Sequence, residues 1–156
     1  MSIPVILDTD IGTDVDDVWA LAFLLRCPEL DIRLITTATG DTRHRAALVA
    51  KILSIAGRDD VPIGVGLPLD PAPLGHVAWL GGYRLEDYPG PVYEDGVGAI
   101  CDSVMDSDES VTIIAIGPVP NIAAALVREP QLTERSSFVG MHGSLRRGYL
   151  GAPKAM

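Results

Sequence analysis

The chain has 156 residues, 47% of them hydrophobic and 21% charged, with a formal net charge of −9. This suits one domain with a substantial core, and an acidic balance without a basic run argues against nucleic acid or an anionic membrane as partner. No apolar stretch reaches membrane-spanning length and no signal-peptide pattern opens the chain, so the expectation is a cytoplasmic protein, with Cys27 and Cys101 as buried free thiols in helical regions.

The first predicted element is Val5-Ile-Leu7, a short continuous apolar run of the kind found in strands covered on both faces. Asp8 and Asp10 lie at its carboxyl end and point the same way if the extended backbone continues through Thr9. Gly12 permits a tight turn, and Asp14, Asp16 and Asp17 fall in the first turn of a helix beginning near Val18. Strand-end crevices of parallel sheets are where ligands bind. Any one of these aspartates could simply cap the helix. Five carboxylates in ten residues, however, repel one another unless a cation joins them, and a hard divalent ion such as calcium or magnesium is the simplest neutraliser.

Residues 18–25 are apolar almost all round and predict a buried helix, with Trp19 and Phe23 in the core and Pro28 after its end. A β-branched strand over 32–39 closes at Gly40-Asp41, and a helix over 42–56 stops at Gly57. Asp41 reads equally as an N-cap or as a group facing the crevice. Arg43, His44 and Arg45 read as an exposed first turn, or as charge partners of Asp41. Residues 61–67 predict a third strand. Residues 68–91 hold five of the twelve prolines and read as a long lid-like loop carrying His76, Trp79, Tyr83 and Tyr88. A helix over 98–105, a buried strand over 111–116, a helix over 121–127 and a strand over 137–143 follow. Met141 in the last is equally suited to core or pocket. The alternation predicts a single α/β domain over 1–156, a Rossmann-like, doubly wound, mainly parallel sheet flanked by helices. No dinucleotide or phosphate-loop fingerprint is present.

The pattern Asp8-x-Asp10-x-Gly12 followed by Asp16-Asp17 and an apolar helix resembles the signature of the calcium-dependent nucleoside N-ribohydrolases, the inosine-uridine nucleoside hydrolase family. Thr13-Asp14-Val15 makes the turn longer than the family's common form. Thr36-Thr-Ala-Thr-Gly-Asp41 resembles a family stretch ending in a ribose-binding asparagine, here Asp41, which can accept but not donate. Gly117-Pro-Val-Pro-Asn-Ile122 resembles the family's turn after a central strand, and Met141-His142-Gly143 its Met-Gly-Gly strand end, with His142 replacing the first glycine.

The resemblance implies hydrolysis of the N-glycosidic bond of a ribonucleoside. It implies a calcium ion held by Asp10, Asp17 and the Ile116 carbonyl, with Asp10 as general base. Asp16, Asp41, Met141 and His76 would contact the substrate, and Asp8 and Asp14 would support the ligands. Family members are commonly homo-oligomers. The resemblance also makes these residues the amino-terminal half of the family fold, a shortened version of it. Two other readings stay open: a non-catalytic calcium- or nucleoside-binding module, and a haloacid-dehalogenase-type phosphatase with Asp8 as nucleophile, although that class carries threonine or valine where Gly12 stands.

Overall fold

The computed structural model describes residues 2–71 and 74–142. Its centre is a six-stranded sheet in the order β4-β3-β2-β1-β5-β6, every neighbouring pair parallel. The strands are β1 (Ile3–Thr9), β2 (Leu30–Thr37), β3 (Ile63–Val65), β4 (Val92–Tyr93), β5 (Val111–Ala115) and β6 (Ser136–Gly140). The helices are α1 (Asp16–Leu24), α2 (Thr42–Ala56), α3 (Val77–Leu80), α4 (Gly96–Met105), α5 (Pro120–Arg128) and α6 (Leu132–Arg135). None of these helices is long and apolar enough to cross a membrane.

Period-two alternation divides the central strands between two cores. Val5 and Leu7 of β1 and Ile35 of β2 join Leu21, Leu24 and the buried side of α2 on one face. Ile6 and Leu34 join Ile100, Val104, Ile122 and Leu132 on the other. Both faces of β1 are therefore covered, which explains the unbroken apolar run in its sequence.

The chain winds outward from β1 through β2, β3 and β4, then returns to start again at β5 on β1's other side. The loops leaving β1 and β5 diverge at this reversal, and their divergence opens a crevice at the carboxyl ends of the two strands.

Several expectations require correction. Trp19 and Phe23 are not core: they are 70% and 73% exposed. A helix lying on a sheet buries one stripe, and in α1 that stripe is Asp17, Leu21 and Leu24, leaving the i, i+4 pair Trp19 and Phe23 on the outer side. Residues 68–91 are less irregular than expected, since they contain α3 and a 3-10 turn at Leu85–Asp87. The third strand covers only 63–65, and β6 ends at Gly140; Gly143 lies outside the described residues. The two-residue β4 and the four-residue α6 are too short to leave a periodic signal. Cys101 is buried in α4, whereas Cys27 is half-buried beyond the end of α1; both are free.

Candidate functional site

β1 delivers Asp8 into the interior and Asp10 just beyond its last residue. Asp8 is fully buried, and its Oδ1 accepts from Thr36 Oγ1 at 2.5 Å and from Asn121 Nδ2 at 2.7 Å. Its Oδ2 is buried with no hydrogen-bond partner. Burial outweighs the two donors and pushes the Asp8 carboxyl up to about 6.

Asp10 is half-buried, and burial likewise raises its pKa. Gly117, the second residue after β5, lies against it: a Cβ there would stand 2.4 Å from Asp10 Oδ1 and 2.9 Å from the Asp10 main-chain nitrogen. Only glycine lets the β5 loop come this close.

The loop between β1 and α1 turns at Gly12, whose φ of 107° suits glycine. It then places one oxygen each of Asp14, Asp16 and Asp17 within 4.8 Å of one another. Asp17 is buried and its Oδ1 accepts from Thr9 Oγ1; burial pushes its carboxyl up to about 6. Asp14 and Asp16 are exposed and close together, and the interaction between their carboxylates holds Asp14 above and Asp16 below the usual carboxylate range. The Asp16 carboxylate also accepts from the Asp17 main-chain N–H at 3.1 Å.

These groups surround one open cavity of about 440 Å3, lined by Asp10, Thr13, Asp14, Asp16 and Asp17 from the first loop. Ile116, Gly117 and Pro118 from the β5 loop, with Met141 and His142 after β6, complete it. Asp10, Asp14, Asp16, Asp17, Ile116 and Met141 thus come together, with Asp8 behind them. An all-oxygen donor set, with a buried carboxylate oxygen left unpartnered behind it, fits a hard divalent cation.

Asp41 and His76 lie outside that lining. Asp41 caps α2, its Oδ1 accepting from the His44 main-chain N–H at 2.9 Å, and it borders a small cleft with Gly12, His44, Arg45, Leu74 and Gly75. His76 has a left-handed φ of 56° at the start of α3 and lines an apolar cavity of about 200 Å3 with Val15, Val18, Leu48, Ile52 and Trp79.

The expected exposed triplet after Asp41 is exposed only at Arg43, which forms ion pairs with Glu86 and Glu94. His44 Nε2 donates to the Gly75 carbonyl at 2.8 Å. Arg45 is only 4% exposed and turns inward onto the acidic loop, donating to the carbonyls of Asp10, Ile11 and Thr39. Asn121, fully buried, is the other residue whose importance emerges only in three dimensions. Its amide donates to Asp8 and to the Thr37 carbonyl, while its Oδ1 accepts from the Leu67 N–H at 2.7 Å. Its place directly after Gly117-Pro-Val-Pro was the available signal.

A family model described as inosine-uridine preferring nucleoside hydrolase matches residues 5–152. The chain belongs to that family. Non-specific ribonucleoside hydrolase RihC of Klebsiella pneumoniae is 35% identical over 95% of this chain, and RihC of Escherichia coli 34% over the same share. The chain spans about half the length of these relatives, 51% of each. Among solved structures, the purine-preferring ribonucleoside hydrolase from Gardnerella vaginalis is 27% identical with a TM-score of 0.74, over 96% of this chain and 52% of that one. An inosine-uridine preferring nucleoside hydrolase from Bacillus anthracis, 19% identical, shares the fold with a TM-score of 0.75, over 92% and 52%. Family membership sets the phosphatase reading aside, and so does the site: Asp8, the nucleophile in that reading, is fully buried with one oxygen doubly hydrogen-bonded.

Proposed function

We propose that this chain carries the cation-binding and water-activating part of a calcium-dependent ribonucleoside hydrolase, which splits the N-glycosidic bond to free base and ribose in base salvage. The observation that carries this reading is the convergence of Asp10, Asp14, Asp16, Asp17 and Ile116 on one open cavity at the strand switch point.

Asp10, Asp17 and the Ile116 carbonyl would hold the ion. When bound, calcium supplies positive charge that anchors the sugar diol and lowers the pKa of water. Asp10 takes the proton of the attacking water onto its carboxylate. Thr9 keeps Asp17 turned toward the cavity, and Asp14 supports the ligands from the rim. Asp16, with Asp41 reached across the Gly12 turn, accepts hydrogen bonds from ribose hydroxyls. The crowded carboxylates favour the positive charge that develops on the sugar as the base departs. Met141 borders the sugar, and the 68–91 segment with His76 acts as a lid. Asp8 holds the end of β1 in register with α5 through Asn121.

We place the protein in the cytoplasm on its two free thiols. Phe138 and Val139, 50% and 57% exposed on β6, support self-association. A second reading, cation and nucleoside binding without turnover, draws on the share of the relatives' length that the chain spans.

Ribose release from a panel of purine and pyrimidine nucleosides, with calcium and with chelator, tests the proposal. Calcium-dependent release is expected. Calcium and nucleoside binding without release would favour the second reading, and release that persists in chelator would refute the calcium-dependent reading.

A further inference from the structure

We propose that Arg45 is a positioning residue for the cation site: its buried guanidinium fastens the main chain of residues 10–13 to α2 and so sets the direction in which Asp10 enters the cavity. The inference rests on the proposed cation-binding reading. Arg45 Nε donates to the Thr39 carbonyl at 2.8 Å, Nη1 to the carbonyls of Asp10 and Ile11, the latter at 2.7 Å, and Nη2 to Thr13 Oγ1 at 3.2 Å. Two consecutive carbonyls on one nitrogen fix the orientation of two successive peptides, Asp10–Ile11 and Ile11–Gly12. The first of these in turn fixes where the Asp10 side chain leaves the backbone.

The acceptors are all neutral oxygens, and among the described residues Arg45 forms no ion pair. A buried guanidinium with no carboxylate in direct contact, its charge reaching Asp10 only through space, is costly as a device for stability alone. Its planar fork, however, reaches separated acceptors that an ammonium cannot span. The backbone it holds is itself unusual: Thr39 has a left-handed φ of 61° and Gly12 a φ of 107°. Gly75 presses on the same turn from outside, since a Cβ there would stand 1.6 Å from the Gly12 carbonyl oxygen. With Gly117 against the Asp10 carboxylate, the acidic loop is clamped from both sides, and Arg45 is the charged side of the clamp.

Positioning and simple charge make opposite predictions. Were Arg45 only a nearby positive charge, Arg45→Lys would leave cation affinity unchanged and Arg45→Met would tighten it. Positioning predicts that both weaken it. The test is calcium titration of the full chain by calorimetry for wild type, Arg45→Lys and Arg45→Met, with hydrogen exchange over residues 9–17 in chelator. The expected result is a roughly tenfold or greater loss of calcium affinity in both variants. Exchange should be faster and confined to residues 9–17. Arg45→Lys binding within about twofold of wild type, or unchanged exchange, would overturn the proposal. If both variants fail to fold, Thr13→Val removes a single acceptor and should show the same effects in weaker form; its absence there overturns the proposal equally. A wild-type chain that takes up no calcium sinks the cation-binding reading itself, while the exchange measurement still decides whether Arg45 fastens the loop.

Discussion

The Asp8 carboxylate accepts a hydrogen bond from the Asn121 side-chain amide at 2.7 Å, joining residues 113 positions apart at the point where the winding of the sheet reverses. Asn121 also reaches the Thr37 carbonyl and the Leu67 N–H, so one side chain ties β1, β2 and the segment after β3 to the start of α5. Asn121→Ala would leave several buried polar groups unpaired. It should cost about 3 kcal/mol, read as a lower urea midpoint at unchanged slope. A midpoint indistinguishable from wild type would mean that the network relaxes without it.

Asp8 and Asp17, both pushed up to about 6 by burial, predict an unusual pH dependence in the cation-free protein. Each binds its proton more tightly when folded, so its contribution to stability is present in full below the unfolded value near 3.8 and lost as pH rises through about 6. In chelator the melting temperature should therefore fall between pH 5 and pH 7, a window above the range where the depressed carboxylates Asp60 and Asp95 titrate. Asp8→Asn should flatten that fall. A melting temperature that climbs across the same window would exclude these shifts.

Gly117→Ala places a methyl group where the Asp10 carboxylate lies. The side chain or the loop must give way, and calcium affinity should drop roughly tenfold or more while the fold persists. Unaltered affinity would show that Asp10 does not need its present position.

What the sequence reveals of this fold depends on the range of the forces involved. Val5-Ile-Leu7 announces a two-sided strand because burial on both faces is written into consecutive residues. The loop from Asp8 to Asp17 announces a site because like charges do not crowd locally without cause. Arg45 and Asn121 gave less, since their partners lie on other elements and an arginine near a helix start reads as solvated. Trp19 and Phe23 misled for the opposite reason: a helix apolar all round does not reveal which stripe meets the sheet.

Phe23→Ser should change stability by less than about 0.5 kcal/mol, whereas Leu21→Ala, at a fully buried position, should cost about 3 kcal/mol. Chemical denaturation of the two variants side by side would reveal the difference. Equal losses would return the outer stripe of α1 to the core.

Calorimetric titration of calcium into wild type and Asp17→Asn tests the central claim most directly, because the claim is that the acidic loop and the end of β5 build one cation site. The account predicts a single ion per wild-type chain and no measurable uptake by the variant. No uptake by wild type, or the same uptake by both, would contradict it.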